Sequence, residues 1–234
     1  MNNLIQRISN YALPISIIGG SFFIAAAVLV SNLVLLAKLD VIEKKLPSSG
    51  EVSEKVDIKP LDNTPYVGHE DAPITMIEFA DFQCPYCKQF QENTFSRFKE
   101  KYIDSGKVKF YFQNYPFLGE ESFSAAEAAK CAQDQNVFWE FHDTLYKSQT
   151  GENIGDFTND KLKVLASKLK LNTNDFNACL DSSKYKQAVQ DEYAFGLNYG
   201  VDSTPTLFIN GYRYSGALPL YKLDQAIQEV QAGQ

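Results

Sequence analysis

No aspartate or glutamate occurs before Asp40, and no charge of either sign occurs from Leu13 to Ala37. As a helix this uncharged stretch would be roughly 37 Å long, enough to cross a hydrocarbon core of about 30 Å. It exceeds the apolar region of a signal peptide, about 7 to 15 residues, and no clear Ala-x-Ala cleavage site follows it. An uncleaved single-pass membrane anchor is therefore expected at 13–37. Basic side chains are also scarce around it: Arg7 precedes, while Lys38, Lys44 and Lys45 follow, a bias that alone would keep the downstream chain inside. From Lys38 onward 29 acidic side chains face 21 basic ones, a net of −8, which argues against nucleic acid as a partner. Cysteine is sparse as well, with four in all. Cys84 and Cys87 form one close pair, whereas Cys131 and Cys179 stand alone, so a four-cysteine zinc site lacks its second pair. No metal and no other cofactor is expected.

What the chain does contain is an ordinary globular composition, 44% hydrophobic over 234 residues, sufficient for one sizeable core. Residues 1–38 read as an N-terminal segment carrying the anchor, and 39–55 as a polar linker around Pro47-Ser48-Ser49-Gly50. Residues 56–234 read as the folded domain. In it Val56 to Ile58 is a candidate edge strand, Ile74 to Phe79 a buried strand, Tyr86 to Ser105 a helix ended by Gly106, and Val108 to Phe112 the next strand. Between Gly119 and Tyr199 strand-like alternation is missing. Helical periods run instead through Ala125, Ala128 and Ala132; Phe138, Phe141 and Leu145; Leu162, Leu165 and Leu169; and Phe176, Cys179 and Leu180. This is an inserted helical subdomain at about 119–199, with Trp139 and His142 in its core; His69 is expected exposed and idle. Asn210-Gly211, after Leu207-Phe208-Ile209, signals a two-residue hairpin, and Pro219 to Val230 a closing helix.

The chemistry concentrates at Cys84-Pro85-Tyr86-Cys87. Pro85 suits a first helical position, which places Cys84 at the N-cap, where unpaired N–H groups and the positive end of the helix favour its thiolate; Cys87 lies deeper. A local disulfide or half a zinc site is the alternative. Cys131, on an Ala-rich helix, and Cys179, beside Phe176 and Leu180, are expected to form a structural disulfide worth roughly 4 kcal/mol by loop closure, the alternative being two unpaired buried thiols.

Three stretches carry a resemblance: Asp71-Ala72-Pro73-Ile74-Thr75, Ile77 through Cys87, and Thr204-Pro205-Thr206-Leu207-Phe208-Ile209-Asn210-Gly211. Together they resemble a DsbA-like thiol:disulfide oxidoreductase, from about Val56 to the C-terminus. The resemblance implies an α/β thioredoxin fold interrupted by the helical insertion. It also implies a buried acid at Glu78, beneath Cys87, that exchanges a proton, and a cis bond between Thr204 and Pro205, opposite the thiols, where substrate backbone pairs. Asp81 is expected to shape the loop instead. Pro85-Tyr86 departs from the Pro-His of the family's strongest oxidants and matches the dipeptide common in glutaredoxins. The implied activity is insertion of disulfides into exported, unfolded proteins with free thiols, outside the cytoplasm at the cell membrane, with a membrane redox partner reoxidising the dithiol. A disulfide reductase or isomerase using the same site is one alternative, and a non-catalytic peptide- or metal-binding module is another.

Overall fold

The computed structural model describes residues 55–232. The expected anchor at 13–37, and all of the linker before Lys55, lie outside the described residues. Among the described residues no helix is long and apolar enough to cross a membrane.

Strands β1 (Tyr66–Val67), β2 (Ile74–Ala80), β3 (Val108–Asn114), β4 (Thr206–Ile209) and β5 (Tyr212–Ser215) form one sheet in the order β1-β3-β2-β4-β5. β2 is the buried centre, parallel to β3 and antiparallel to β4. Its apolar run of Ile74, Met76, Ile77 and Phe79 suits a strand covered on both faces; Glu78, opposite Phe112 on one side and Leu207 on the other, is the exception. β4 and β5 turn through Asn210 (φ 47°) and Gly211 (φ 89°), the left-handed pair that a two-residue hairpin needs. Asn210 Oδ1 also accepts the Thr75 N–H at 2.8 Å. A Cβ on Gly211 would sit 2.1 Å from the Val56 carbonyl oxygen, so the close approach itself demands glycine. That approach explains why the edge strand expected at Val56 to Ile58 does not form. The hairpin turn offers a single carbonyl, to which Val56 N–H bonds at 3.0 Å, and the segment runs on as a loop held by packing of Val56 and Ile58.

The single helix expected from Tyr86 to Ser105 is instead α1 (Pro85–Phe90), a π-helical stretch Gln91–Phe95, α2 (Ser96–Phe98) and a second π-helical stretch Lys99–Ile103. The spacing of Phe90 and Phe95 supplies the reason. Five residues apart, they would diverge on a regular α-helix, but the wider i→i+5 repeat of a π-turn puts both inward, with ring centroids 6.3 Å apart. Gly106 (φ 75°) then closes the helix, its N–H on the Ile103 carbonyl at 3.0 Å.

The insertion comprises α3 (Glu120–Gln133), α4 (Phe138–Ser148), α5 (Asn159–Lys168), α6 (Thr173–Asp181) and α7 (Lys186–Asn198), after which α8 (Leu220–Ala232) covers the sheet. Cys131 of α3 and Cys179 of α6 are joined, with Cα atoms 5.9 Å apart. Trp139 and His142 belong less to the insertion's own core than to its seam with the sheet. The His142 ring lies 4.7 Å from Phe112, and the Trp139 indole N–H donates to the Tyr66 carbonyl at 3.3 Å. A second fastening is polar: Lys130 of α3 pairs with Glu192 of α7, both buried, and Asn114 at the end of β3 donates to Glu192 Oε2 at 2.6 Å. These contacts fasten the insertion to β3 and to β1.

Candidate active site

Cys84 occupies the N-cap of α1 with extended backbone (φ −70°, ψ 121°), and Pro85 takes the first turn. The two cysteines are unbonded to one another, both buried, with Cys87 wholly so. The Cys87 thiol donates to Cys84 sulfur, and the backbone N–H groups of Cys87 and Tyr86 point at it; against the opposing effect of burial these lower the Cys84 pKa to about 7. Cys87 moves the other way: burial, and then the charge on Cys84, push its thiol up. The pair is therefore asymmetric, one sulfur disposed to ionise and the other to hold its proton. Tyr86 between them is 62% exposed and makes the outer face of the motif.

Cys84 Sγ lies 3.3 Å from the carbonyl oxygen of Thr204, and the Thr204-Pro205 bond is cis, as the resemblance implies. Pro205 precedes β4, whose Thr206 pairs with Phe79, so the far end of the sheet delivers this loop to the sulfur. The buried Thr204 side chain also lies against Cys84 and adds to the stabilisation of its thiolate.

Glu78 is fully buried. Its neighbours across the sheet, Phe112 and Leu207, offer no charge. Burial, with the charge on Cys84 adding, raises its pKa to about 8. Oε2 accepts from the Gln91 side-chain amide at 3.1 Å, while Oε1 has no hydrogen-bond partner. The hydroxyl of Tyr146, on α4, is also unpartnered and held well above the usual range by burial, with the charges of Cys87 and Glu78 adding. Asp81 does shape the loop: Oδ1 accepts the Gln83 N–H at 2.8 Å, and Oδ2 accepts the N–H groups of Phe117 and Leu118 at 2.9 and 3.1 Å.

Three residues of the site escape a reading of the sequence. Gln83 is buried and bridges the motif to the insertion. Its amide donates to Ser122 Oγ at 2.8 Å and its Oε1 accepts the Asn153 N–H at 2.6 Å, which fixes the loop after α4 beside the thiols. A cleft of about 480 Å³ opens there between Pro85, Lys88 and Gln149 to Glu152. Tyr146 and Gln91 are the others. Gln91 carries the one signal available beforehand, a spacing of four from Cys87 that puts both on one helical face. His69 is exposed, and His142 is buried with Nδ1 2.9 Å from Asp143 Oδ1 and its ring 5.0 Å from that of Tyr146.

A buried acid under an asymmetric dithiol, faced by a cis-proline loop, is the arrangement of thiol:disulfide exchange enzymes, and the comparisons agree. The family model for thioredoxin matches residues 61–229. A probable disulfide bond formation protein D of Bacillus anthracis is 36% identical over 149 residues, spanning 62% of this chain and 69% of that protein. The crystal structure of oxidised BdbD from Bacillus subtilis superposes with a TM-score of 0.67 at 29% identity, over 71% of this chain and 91% of that one. Wolbachia pipientis alpha-DsbA1 superposes with a TM-score of 0.66 at 26% identity, over 74% and 92%. The chain belongs to the thioredoxin family, as a DsbA-like thiol:disulfide oxidoreductase.

Proposed function

We propose that the protein works as an oxidase, inserting disulfides into exported, unfolded proteins. A substrate thiolate attacks Cys84 Sγ of the oxidised pair; the Cys84–Cys87 bond breaks, and Cys87 leaves as a thiolate that takes its proton from Glu78. A second substrate thiolate then attacks the substrate sulfur of the mixed disulfide, and Cys84 departs as a thiolate. The substrate loses two electrons and the dithiol gains them. What supports this direction is the kinship with disulfide bond formation protein D of Bacillus anthracis and BdbD of Bacillus subtilis; the lowered pKa of Cys84, to about 7, adds a good leaving group for the second step. Substrate in extended form lies along Thr204 and Pro205, pairing with backbone, which accounts for breadth of sequence with a demand for unfolded chain. The domain acts outside the cytoplasm, tethered by 13–37 on the linker 39–55, and a membrane redox partner withdraws the electrons.

A glutathione equilibrium titration tests the direction. A potential well above that of thioredoxin, about −270 mV, together with disulfide transfer to a reduced unfolded protein, is the expected result; a potential at or below it makes the protein a reductase. Reporter fusions at the C-terminus test the placement, since activity of a reporter that functions only in the cytoplasm overturns it.

A further inference from the structure

Gln91 begins the π-helical stretch that interrupts the active-site helix. Its backbone N–H donates to the carbonyl of Cys87, one turn earlier, and its side-chain amide donates to Glu78 Oε2 at 3.1 Å. It thus grips both the resolving cysteine and the buried acid. Among the described residues no other side chain hydrogen-bonds the Glu78 carboxyl, whose Oε1 is unpartnered. Other groups that act on Glu78 or are acted on by it are Cys84 and Cys87 of α1 and Tyr146 of α4; its sheet neighbours are Phe112 and Leu207. No cation faces it among these. Gln91 itself is only half-buried.

We infer that Gln91 is a positioning residue for proton transfer: its amide holds Glu78 Oε2 and leaves Oε1 for Cys87. An N–H donor favours the carboxylate over the acid, and the Gln91 bond lowers the Glu78 pKa against the larger effect of burial. The inference rests on the proton role of Glu78 proposed above. It concerns the step in which Cys87, its proton passing to the Glu78 carboxylate, attacks Cys84 Sγ of a mixed disulfide. The Cys84–Cys87 bond forms, the bond from Cys84 to the other sulfur breaks, and that sulfur leaves as a thiolate.

The test uses the full-length reduced protein with glutathione disulfide as oxidant, following glutathione release from the Cys84 adduct as a function of pH. Gln91→Met, of equal length without a donor, should move the midpoint of this step up by about one pH unit, a tenfold loss of rate below the midpoint with little change well above it. In a Glu78→Gln background the same substitution should change nothing further. A uniform slowing of Gln91→Met at every pH, or an unmoved midpoint while Glu78→Gln abolishes the pH dependence, overturns the inference and spares the role of Glu78. An unaltered profile in Glu78→Gln overturns that role, and the inference with it. Should Gln91→Met fold poorly, Gln91→Ala replaces it, with the Glu78 carboxyl titrated directly by carbon-13 NMR; a titration at the wild-type position is the refuting result.

Discussion

Glu78→Gln should alter the pH dependence of stability in a way that no surface carboxylate could. In the folded reduced protein the acid titrates near 8, raised from 4.5 by burial and by the charge on Cys84. Since its folded pKa lies above its unfolded one, the native state binds the extra proton between those values, and stability falls as pH rises. Below pH 4.5 both states are protonated and the cost is nil; above about pH 8 it is complete, on the order of 5 kcal/mol from a difference of about 3.5 units at 1.36 kcal/mol each. Urea unfolding of the reduced protein should therefore lose roughly 1.4 kcal/mol per pH unit to this group between pH 5 and 7. Cys84, lowered to about 7, acts in the opposite sense, its contribution appearing as pH rises through 7 toward the value of a free thiol, so the interval below pH 7 isolates Glu78. Glutamine keeps the shape and removes the titration. Its amide brings a burial cost of roughly 1 to 3 kcal/mol, which offsets the absolute gain but does not vary with pH. The slope is thus the quantity to compare. Parallel slopes for wild type and Glu78→Gln from pH 5 to 7 would falsify the assignment of a buried, proton-retaining acid.

Alkylation of the reduced protein with iodoacetamide should be half-maximal near pH 7 and confined to Cys84; preferential labelling of Cys87, read by peptide mass, contradicts the asymmetry. Cys131→Ala should cost about 4 kcal/mol in urea unfolding through reopening of the loop between residues 48 apart in sequence, while thiol exchange persists. Loss of exchange at unchanged stability would instead make that pair an electron relay. Lys130→Met leaves the buried carboxylate of Glu192 without its cation and should destabilise by about 3 to 5 kcal/mol. The double variant with Glu192→Leu should recover much of this, and equal damage in single and double variants would show that the pair adds nothing beyond packing.

The difference between what sequence reveals here and what it conceals follows the range of the interactions. The Cys84 N-cap depends on its neighbours in the chain, Pro85 and the amides of Tyr86 and Cys87, and the β4–β5 turn on the φ preferences of Asn210 and Gly211; both are legible from a few adjacent letters. The helix α7 has no such mark. Its buried positions are Val189, Glu192 and Gly196, and Glu192 faces inward because Lys130 and Asn114 meet it there, partners 62 and 78 residues away. A hydrophobic period cannot register a helix whose inner face is built on a carboxylate and a glycine beside one valine. The π-helical stretches were hidden for a related reason: the i, i+5 spacing of Phe90 and Phe95 contradicts a regular helix, and the contradiction is resolved only when both rings have a sheet to pack on, Phe95 lying 4.7 Å from Phe110. Gln91 is the product of both kinds of information. Its distance from Cys87 is written in the chain, but the carboxylate it binds stands on another element, at 3.1 Å, and its amide acquires a chemical purpose through that tertiary contact. A polar residue on the inner face of a helix otherwise read as apolar is accordingly the place to look for the groups that tune a buried acid.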